Sequence, residues 1–239
     1  MGAGGAVDDG ADRKRGDGTD REPGDGVAAV SFDLFGTLVN VEPPDDPAAA
    51  VAAELRERGV PVPGDWADAY REVHLEYEAG VERPLHHHVA AALASRDPGR
   101  EPRAFVDDAA VAVRAAFDRP VETRPGAAEA VAALSEEHPV GVLSNCSVAG
   151  LVARTLERSA VDEAAFDAVV SSVACGRRKP DARAFETVAD GLGVSVDRLV
   201  HVGDGPATDG GAVDAGARFV AVDEVSLREL PSVVARRWD

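Results

Sequence analysis

The chain has 239 residues, of which 43 are acidic and 25 are basic, so its formal net charge at pH 7 is −18. A hydrophobic content of 45% suffices for a packed core and excludes a wholly disordered chain. The negative charge argues against nucleic acid and anionic membrane surfaces as partners, because their phosphate groups would repel the protein. The length favours one domain, or one domain with a sizeable insertion.

The cysteine content and the lack of long apolar runs predict a cytoplasmic protein. Cys146 and Cys175 are too few for a disulfide framework, which is typical of a reducing compartment. No apolar run approaches the ~18–20 residues of a membrane span, and the N-terminus lacks the apolar core of a signal peptide. Lys14 and Lys179 are the only lysines, and this arginine-rich, acidic composition is typical of a high-salt cytoplasm, where charges are strongly screened.

Apolar runs along the chain predict a parallel sheet. Residues 1–26 are rich in Gly and Asp and predict a disordered tail. Beyond the tail, continuous short apolar runs are typical of strands buried on both faces, and they cover residues 27–32, 140–143, 168–171, 199–202 and 218–222. Because helical patterns alternate with these runs, we expect a doubly wound, Rossmann-like α/β core.

Helical patterns complete the core and fill one long interval. In the core, amphipathic stretches and capping residues predict helices over 127–137, from the N-cap Ser147 to Arg158, and from Pro180 to Gly193. Residues 41–123 contain no convincing strand, and helices are predicted from Pro47 to Gly59 and over 65–79, 85–94 and 104–117.

This pattern predicts a division into a core and an insertion. The core would comprise residues 27–40 and 124–239, and residues 41–123 would form a helical cap. In an open α/β sheet, ligands bind beyond the carboxyl ends of the strands. An insertion directly after the first strand would therefore cover the binding site as a lid.

Polar residues follow the predicted strands at the points where they end. Asp33 follows the first strand, Ser144 the second, and Asp204 the fourth, while Lys179 stands at a helix start after the third. Each of these residues alone is common in turns and helix caps. Together they would lie at one edge of a parallel sheet, and this convergence predicts a chemical site.

The segments that carry these residues resemble the motifs of a known family. DLFGTL, LSN, RRKPD and GDGPATD are similar to the four motifs of the haloacid dehalogenase-like hydrolases, which are phosphatases and dehalogenases that form a covalent aspartyl enzyme. The resemblance covers roughly residues 27–225. One large subgroup of the family carries a helical cap between the first and second motifs, where residues 41–123 lie here.

The resemblance implies a catalytic role for several residues. Asp33 would be the nucleophile, and Lys179 would neutralise the nucleophile and the transferring group. Ser144, together with Asn145 and the neighbouring backbone amides, would hold the anionic substrate at a helix N-terminus. Thr37 would help to fix the loop that carries the nucleophile.

The resemblance also implies a Mg²⁺ site made of oxygen ligands. Asp33, Asp204 and the backbone carbonyl of Phe35 would bind the cation, as a hard ion prefers. Asp209 would be a further ligand or would hold the direct ligands in place.

Phe35, Asp204 and Arg71 do not all match the same branch of the family. Most of its phosphatases carry an acid that protonates the leaving oxygen where this chain has Phe35, and dehalogenases have an aromatic residue there. Asp204, by contrast, retains the metal motif of the phosphatases. Arg71 lies in a segment, residues 70–77, similar to the one that carries the substrate-binding arginine of haloacid dehalogenases. Arg71 could equally be an exposed helix arginine paired with nearby glutamates.

Three functions therefore stay open. The first is a Mg²⁺-dependent phosphatase that acts on a small phosphorylated metabolite. The second is a metal-free 2-haloacid dehalogenase that holds the substrate carboxylate with Arg71. The third is a non-catalytic module that retained the anion site. In each case the expected partner is a small anionic molecule.

Overall fold

The computed structural model describes residues 26–238. The predicted tail therefore lies outside the described residues except for Gly26, as does Lys14. The described residues form seven strands: β1 (Ala29–Phe32), β2 (Val39–Asn40), β3 (Glu122–Thr123), β4 (Val140–Ser144), β5 (Ala168–Ser171), β6 (Leu199–Gly203) and β7 (Arg218–Ala221).

Ten α-helices lie between and beside these strands in residues 26–238. They are α1 (Pro47–Glu57), α2 (Trp66–Arg71), α3 (Leu85–Ala94), α4 (Val106–Phe117), α5 (Ala127–Ser135), α6 (Leu151–Arg158), α7 (Ser172–Cys175), α8 (Ala182–Gly191), α9 (Gly211–Asp214) and α10 (Leu230–Trp238). None of these helices has the length and apolar character needed to cross a bilayer.

The predicted α/β core with a parallel sheet is confirmed. Its five strands have the order β5-β4-β1-β6-β7, and every neighbouring pair is parallel. The central strands β1, β4 and β6 are buried along their whole length, as their continuous apolar runs predict. All five predicted strands are present, with ends that shift by a residue or two.

Helices cover the sheet on both faces. Successive side chains of a strand point to opposite faces, so Ala29 and Val30 of β1 belong to two different hydrophobic clusters. Phe185 of α8 packs in the cluster with Ala29, and Leu134 of α5 packs in the cluster with Val30. Burial of each such large side chain contributes about 1.5–3 kcal/mol relative to exposure.

The interval between β2 and β3 contains α1–α4, largely as predicted. The carboxylate of Asp46 caps α1 by accepting a hydrogen bond of 3.0 Å from the amide of Ala49. Gly59 follows α1 with a φ of 74°, a left-handed conformation that glycine adopts without steric cost. Helix α3 has the predicted bounds, and α4 begins slightly later than predicted.

The prediction of a helix over residues 65–79 is wrong beyond Arg71. Glu72 is already extended, and its carboxylate binds the guanidinium of Arg96 at 2.5 and 3.0 Å. The ring of His74 bonds the carbonyl of Ala69 at 2.7 Å, so a side chain occupies an acceptor that a longer helix would use for its backbone. These interactions lead the chain away from the helix axis.

Three further predictions about local structure need correction. A short strand does occur within residues 41–123, because β3 pairs antiparallel with β2. Helix α6 begins at Leu151, after Gly150 with a φ of 78°, and Ser147 does not cap it. The hydroxyl of Ser147 instead donates to the carboxylate of Glu82 at 2.7 Å. Helix α8 begins at Ala182, after the N-cap Asp181.

Candidate active site

The sheet brings the predicted polar residues together at one edge. Asp33 directly follows β1, Ser144 is the last residue of β4, and Asp204 directly follows β6. Because β1 lies between β4 and β6 and all three are parallel, their carboxyl ends are adjacent. Lys179 reaches the same edge from the loop between α7 and α8.

The ammonium group of Lys179 is the centre of this cluster. Its Nζ donates to Asp33 Oδ1 at 2.8 Å, to Asp209 Oδ1 at 2.5 Å and to the Leu143 carbonyl at 2.7 Å. Three acceptors match the three protons of an ammonium group. The side chain is 1% exposed, so its charge is stabilised by these partners and not by water.

Burial raises the pKa of Asp33 to about 6. The charge of Lys179 opposes this rise, whereas the nearby carboxylates of Asp209 and Asp204 add to it. Two carboxylates therefore share one ammonium group, with a third close by. An additional cation at this edge would favour the ionised, nucleophilic form of Asp33.

Both carboxylate oxygens of Asp209 have hydrogen-bond partners in the protein. Its Oδ1 accepts from Lys179 Nζ and lies 3.1 Å from His201 Nε2, and its Oδ2 accepts from the amide of Gly205 at 2.9 Å. Burial raises its pKa, but the hydrogen bond with His201 and the charge of Lys179 outweigh burial and lower the pKa overall. This geometry favours the second predicted role of Asp209, which is to hold the neighbouring groups in place.

His201 belongs to the site although sequence reasoning missed it. It is fully buried on β6, where Nδ1 lies 2.9 Å from the hydroxyl of Ser31. Burial, followed by the charge of Lys179, lowers its pKa to about 4, so the ring is neutral at pH 7. We assign the proton to Nε2, which donates to Asp209, while Nδ1 accepts from Ser31. The signal was a lone titratable residue inside an apolar strand.

Three carboxylates form the acidic cluster of the site. Asp33, Asp204 and Asp209 each offer one oxygen atom, and these atoms lie within 4.8 Å of one another. Asp204 is exposed as a whole residue, but part of its carboxylate is shielded from water. This shielding raises the pKa of Asp204, and the negative charge of Asp209 raises it further. Gly36 has a φ of 87°, and a Cβ atom there would collide with the Asp204 carboxylate. The guanidinium of Arg124 donates to the Gly36 carbonyl and fixes this loop.

Two hydroxyl groups at the site are buried without a partner. Ser144 Oγ and Thr37 Oγ1 form no hydrogen bond within the described part of the chain. An unsatisfied buried hydroxyl costs about 1–3 kcal/mol. Such groups are rare in folded proteins, and each of them calls for an explanation.

The side chain of Asn145, a predicted substrate-binding residue, holds the backbone of Lys179. Its Oδ1 accepts from the backbone amide of Lys179 at 2.8 Å, and its Nδ2 donates to the Lys179 carbonyl at 3.0 Å. Both polar atoms are therefore used to hold the Lys179 backbone. Asn145 is a positioning residue for Lys179 in this geometry.

A buried carboxylate of the insertion, Glu82, anchors it to the core. Glu82 is 2% exposed, and it accepts hydrogen bonds from the hydroxyl groups of Ser147, at 2.7 Å, and of Ser172. Ser172 Oγ in turn accepts from the amide of Cys146 at 2.8 Å. In the sequence Glu82 is one of many glutamates, and nothing marks it as buried.

The segment around Glu82 also pairs with the segment that precedes Lys179. The amide of Glu82 donates to the Gly176 carbonyl at 3.1 Å, and the amide of Arg178 donates to the Gly80 carbonyl at 3.0 Å. The insertion is thus hydrogen-bonded to the loop that carries the catalytic lysine candidate as well as to the loop after β4.

A cavity of about 550 Å³ lies between the insertion and the core, next to the acidic cluster. Phe35 and Asn145 line it on the core side, and Arg71 lines it on the insertion side. The side chain of Arg71 is 69% exposed and lies 3.5 Å from Asp68, so it forms a loose surface pair at the cavity wall with an aspartate and not with the glutamates that the sequence suggested. Its guanidinium retains donors for an anion.

Part of the sequence is similar to that of a curated protein. The chain is 39% identical over 84 residues to a phosphatase of Mycobacterium tuberculosis (strain CDC 1551 / Oshkosh), which is 35% of this chain and 38% of that protein. The chain thus spans less than two fifths of the curated relative that it matches.

Solved structures resemble the whole fold at low sequence identity. A 2-haloacid dehalogenase from Pseudomonas syringae pv. Tomato DC3000 has a TM-score of 0.60 and 21% identity, over 88% of this chain and 99% of that chain. A predicted phosphoglycolate phosphatase from Haemophilus somnus 129pt has a TM-score of 0.55 and 16% identity, over 87% of this chain and 97% of that chain.

The sequence itself matches one family over most of its length. The family model described as haloacid dehalogenase-like hydrolase covers residues 27–216, a range that includes the whole charged cluster. The chain therefore belongs to the haloacid dehalogenase-like hydrolases.

Proposed function

We propose that the protein is a Mg²⁺-dependent phosphatase that acts on a small phosphorylated metabolite through a covalent aspartyl intermediate. The observation that carries this proposal is the crowding of Asp33, Asp204 and Asp209, with ligand atoms within 4.8 Å, around one ammonium group. Without a further cation, these charges would repel an anionic substrate from the nucleophile.

The residues present fit a Mg²⁺ ion. The carboxylates of Asp33 and Asp204 are hard donors, and the Phe35 carbonyl accepts no hydrogen bond from residues 26–238. These three groups would hold the ion, while Asp209 would keep Lys179 and the Gly205 loop in place. When bound, Mg²⁺ would supply charge stabilisation to the transferring phosphoryl group.

The remaining steps use residues of the chain. Asp33 attacks phosphorus through the oxygen that Lys179 does not hold, and the ester oxygen leaves with the bonding electron pair. The ammonium of Lys179 offsets negative charge on the nucleophile. The buried hydroxyl of Ser144 gains an acceptor in the phosphate, and Thr37 steadies the loop of the nucleophile. Water then hydrolyses the aspartyl phosphate and restores Asp33.

A substitution at Gly36 tests the metal site independently of activity. We expect Gly36→Ala to weaken Mg²⁺ binding by at least about tenfold, because the new Cβ would displace the Asp204 carboxylate. Gly59→Ala is the matched control, since Gly59 also has a positive φ but a Cβ added there would meet no atom within 4 Å. Both variants carry the backbone strain of about 1–2 kcal/mol. Isothermal titration calorimetry with MgCl₂ measures the difference, and equal affinities would remove Asp204 as a ligand.

A metal-free 2-haloacid dehalogenase is the second candidate. Phe35 stands where the phosphatases carry their acid, and a halide leaves without a proton. Arg71 lines the same cavity as Phe35 and could bind the substrate carboxylate. The acidic cluster argues against this candidate, because Asp204 would add a repulsive charge with no function.

One assay separates the candidates. The protein is incubated with a panel of phosphomonoesters and with 2-chloropropionate, each with Mg²⁺ and with EDTA. We expect phosphate release that requires Mg²⁺. Chloride release that EDTA does not affect would establish the dehalogenase instead. If neither product forms while phosphate still binds, the chain is the non-catalytic module.

Three properties expected from the sequence stay predictions. They are the division of the core and cap at residues 40 and 124, the cytoplasmic location and the high-salt habitat. The Lys-poor, acidic composition supports the last of these, because screened surface charge is tolerated at high ionic strength.

A further inference from the structure

The cavity beside the acidic cluster is lined mainly by apolar side chains. Leu85, Val148 and Leu151 form part of its wall, and the aromatic rings of Phe35 and Phe117 form another part. Its volume of about 550 Å³ lies within the range of roughly 300–1,000 Å³ that is common for small-molecule sites. A sugar phosphate or another hydroxylated body would face apolar side chains over most of this wall, because polar side chains such as Arg71 and Arg83 form the smaller part of it.

The described part of the cavity wall also lacks a protonated carboxylic acid for a leaving oxygen, and Tyr77 is its one phenol. Glu72 is its one carboxyl group, and the hydrogen bonds from Arg96 lower the pKa of Glu72, so it is ionised at neutral pH. The ring of His88 is bonded at 2.7 Å to the Tyr70 carbonyl. By the resemblance to the family's phosphatases, Phe35 stands at the position where they carry the acid.

An alkoxide leaving group needs such an acid, whereas an aryloxide does not. A phenol has a pKa near 10, as the tyrosine side chain does, so its oxygen can leave as the anion. General acid catalysis is worth about 10²–10⁴-fold for a poor leaving group. An enzyme without the acid therefore retains high rates only for esters of acidic hydroxyl groups.

Resting on the phosphatase function above, we propose that the substrates are aryl phosphates, whose aromatic body fills the apolar cavity and whose aryloxide leaves unprotonated. In the first step the bond from Asp33 to phosphorus forms and the bond from phosphorus to the aryl oxygen breaks, with the electron pair on oxygen. Water then attacks the aspartyl phosphate, which releases inorganic phosphate. The aryloxide takes its proton from solvent water, so no other reactant is required.

Four esters separate the fit of the body from the acidity of the leaving group. Phenyl phosphate is apolar with an acidic leaving group, and benzyl phosphate is apolar with a poor one. Acetyl phosphate has a good leaving group without an apolar body, and glycerol phosphate has neither property. With Mg²⁺, we expect kcat/KM for phenyl phosphate to exceed that for glycerol phosphate by at least about 100-fold. Benzyl phosphate should match phenyl phosphate in KM and fall in kcat, and acetyl phosphate should have the higher KM.

Two variants at Phe35 isolate the missing proton. Phe35→Asp introduces an acid at this position and should raise the ratio of benzyl to phenyl phosphate turnover by about 10²-fold. Phe35→Asn is the matched control, because it has a similar shape and polarity but no transferable proton, and its ratio should not rise. Circular dichroism establishes that both variants are folded.

The outcomes distinguish this proposal from the one on which it rests. If glycerol phosphate is hydrolysed as fast as phenyl phosphate, the protein is a phosphatase but the aryl preference is wrong. An equal rise of the ratio in both variants at Phe35 would likewise refute the missing-acid argument. If all four esters are stable with Mg²⁺ while 2-chloropropionate releases chloride, both proposals fail together.

Discussion

Asp33→Asn is expected to reduce kcat/KM by at least about 10⁴-fold, because a neutral amide oxygen cannot form the covalent intermediate. The substitution preserves the shape of the side chain, and its amide oxygen can still accept the hydrogen bond that Lys179 donates at 2.8 Å. The loss should therefore appear in turnover, while the fold and the position of Lys179 are retained. Phosphate release with Mg²⁺ measures it, and Asp45→Asn, at an exposed aspartate, is the matched control.

The same substitution, Asp33→Asn, should not lower the free energy of unfolding at pH 8, although it removes turnover. The pKa of Asp33 is raised to about 6 in the folded protein from an ordinary value of 3.8. A carboxyl group whose pKa is higher in the folded than in the unfolded protein adds to the free energy of unfolding below pH 3.8. This contribution is lost as the pH rises through about 6. At pH 8 the ionised Asp33 therefore destabilises the fold, and Asp33→Asn should unfold at a urea concentration equal to or higher than that of the unsubstituted protein. A variant that unfolds early, or one that keeps more than about 1% of turnover, would contradict the assigned role.

Lys179→Met is expected to abolish turnover and to lower the free energy of unfolding by about 3–5 kcal/mol. The ammonium is 1% exposed and lies between Asp33 and Asp209. Its removal leaves two buried carboxylates without a counter-ion, which is the costly way to break a buried ion pair. Urea denaturation at pH 8 measures the change in stability. Arg178→Met removes the neighbouring charge, which is half-buried and lies 4.0 Å from Glu82, and should cost less than about 1 kcal/mol.

A double variant separates the charge effect from a simple packing defect. Asp209→Asn removes one of the two carboxylates that Lys179 compensates. We expect Lys179→Met combined with Asp209→Asn to be more stable than Lys179→Met alone and to remain inactive. Equal losses in Lys179→Met and in Arg178→Met would show that the buried lysine has no special electrostatic role.

Local sequence rules determined the sheet and the residues at its edge. Continuous apolar runs predicted β1, β4 and β6, because a strand buried on both faces needs apolar side chains at every position. Parallel strands end at a common edge, so Asp33, Ser144 and Asp204 could be placed together from the sequence alone. Lys179 lies 146 positions from Asp33, yet the position of its motif after the third predicted strand indicated the same edge.

Local patterns were less successful where a side chain finds its partner in another segment. The predicted helix over residues 65–79 ends at Arg71 because Glu72 pairs with Arg96 and His74 bonds a carbonyl of the helix. Ser147 is a good N-cap by type, but α6 begins only at Leu151, and the Ser147 hydroxyl donates a hydrogen bond to Glu82. Residue preferences describe only neighbours in the chain, and here side chains bond partners in distant segments.

The sequence by itself determined the family, the parallel sheet and the identity of the nucleophile candidate. Only the tertiary structure decided how the charges are shared: Asp209 and Asn145 hold Lys179, and His201 stands neutral beneath them. It also decided that Glu82 is buried between the insertion and the core. The physical reason is that burial, pKa and hydrogen bonding depend on distances of a few ångströms between segments far apart in the chain, and sequence spacing does not specify those distances.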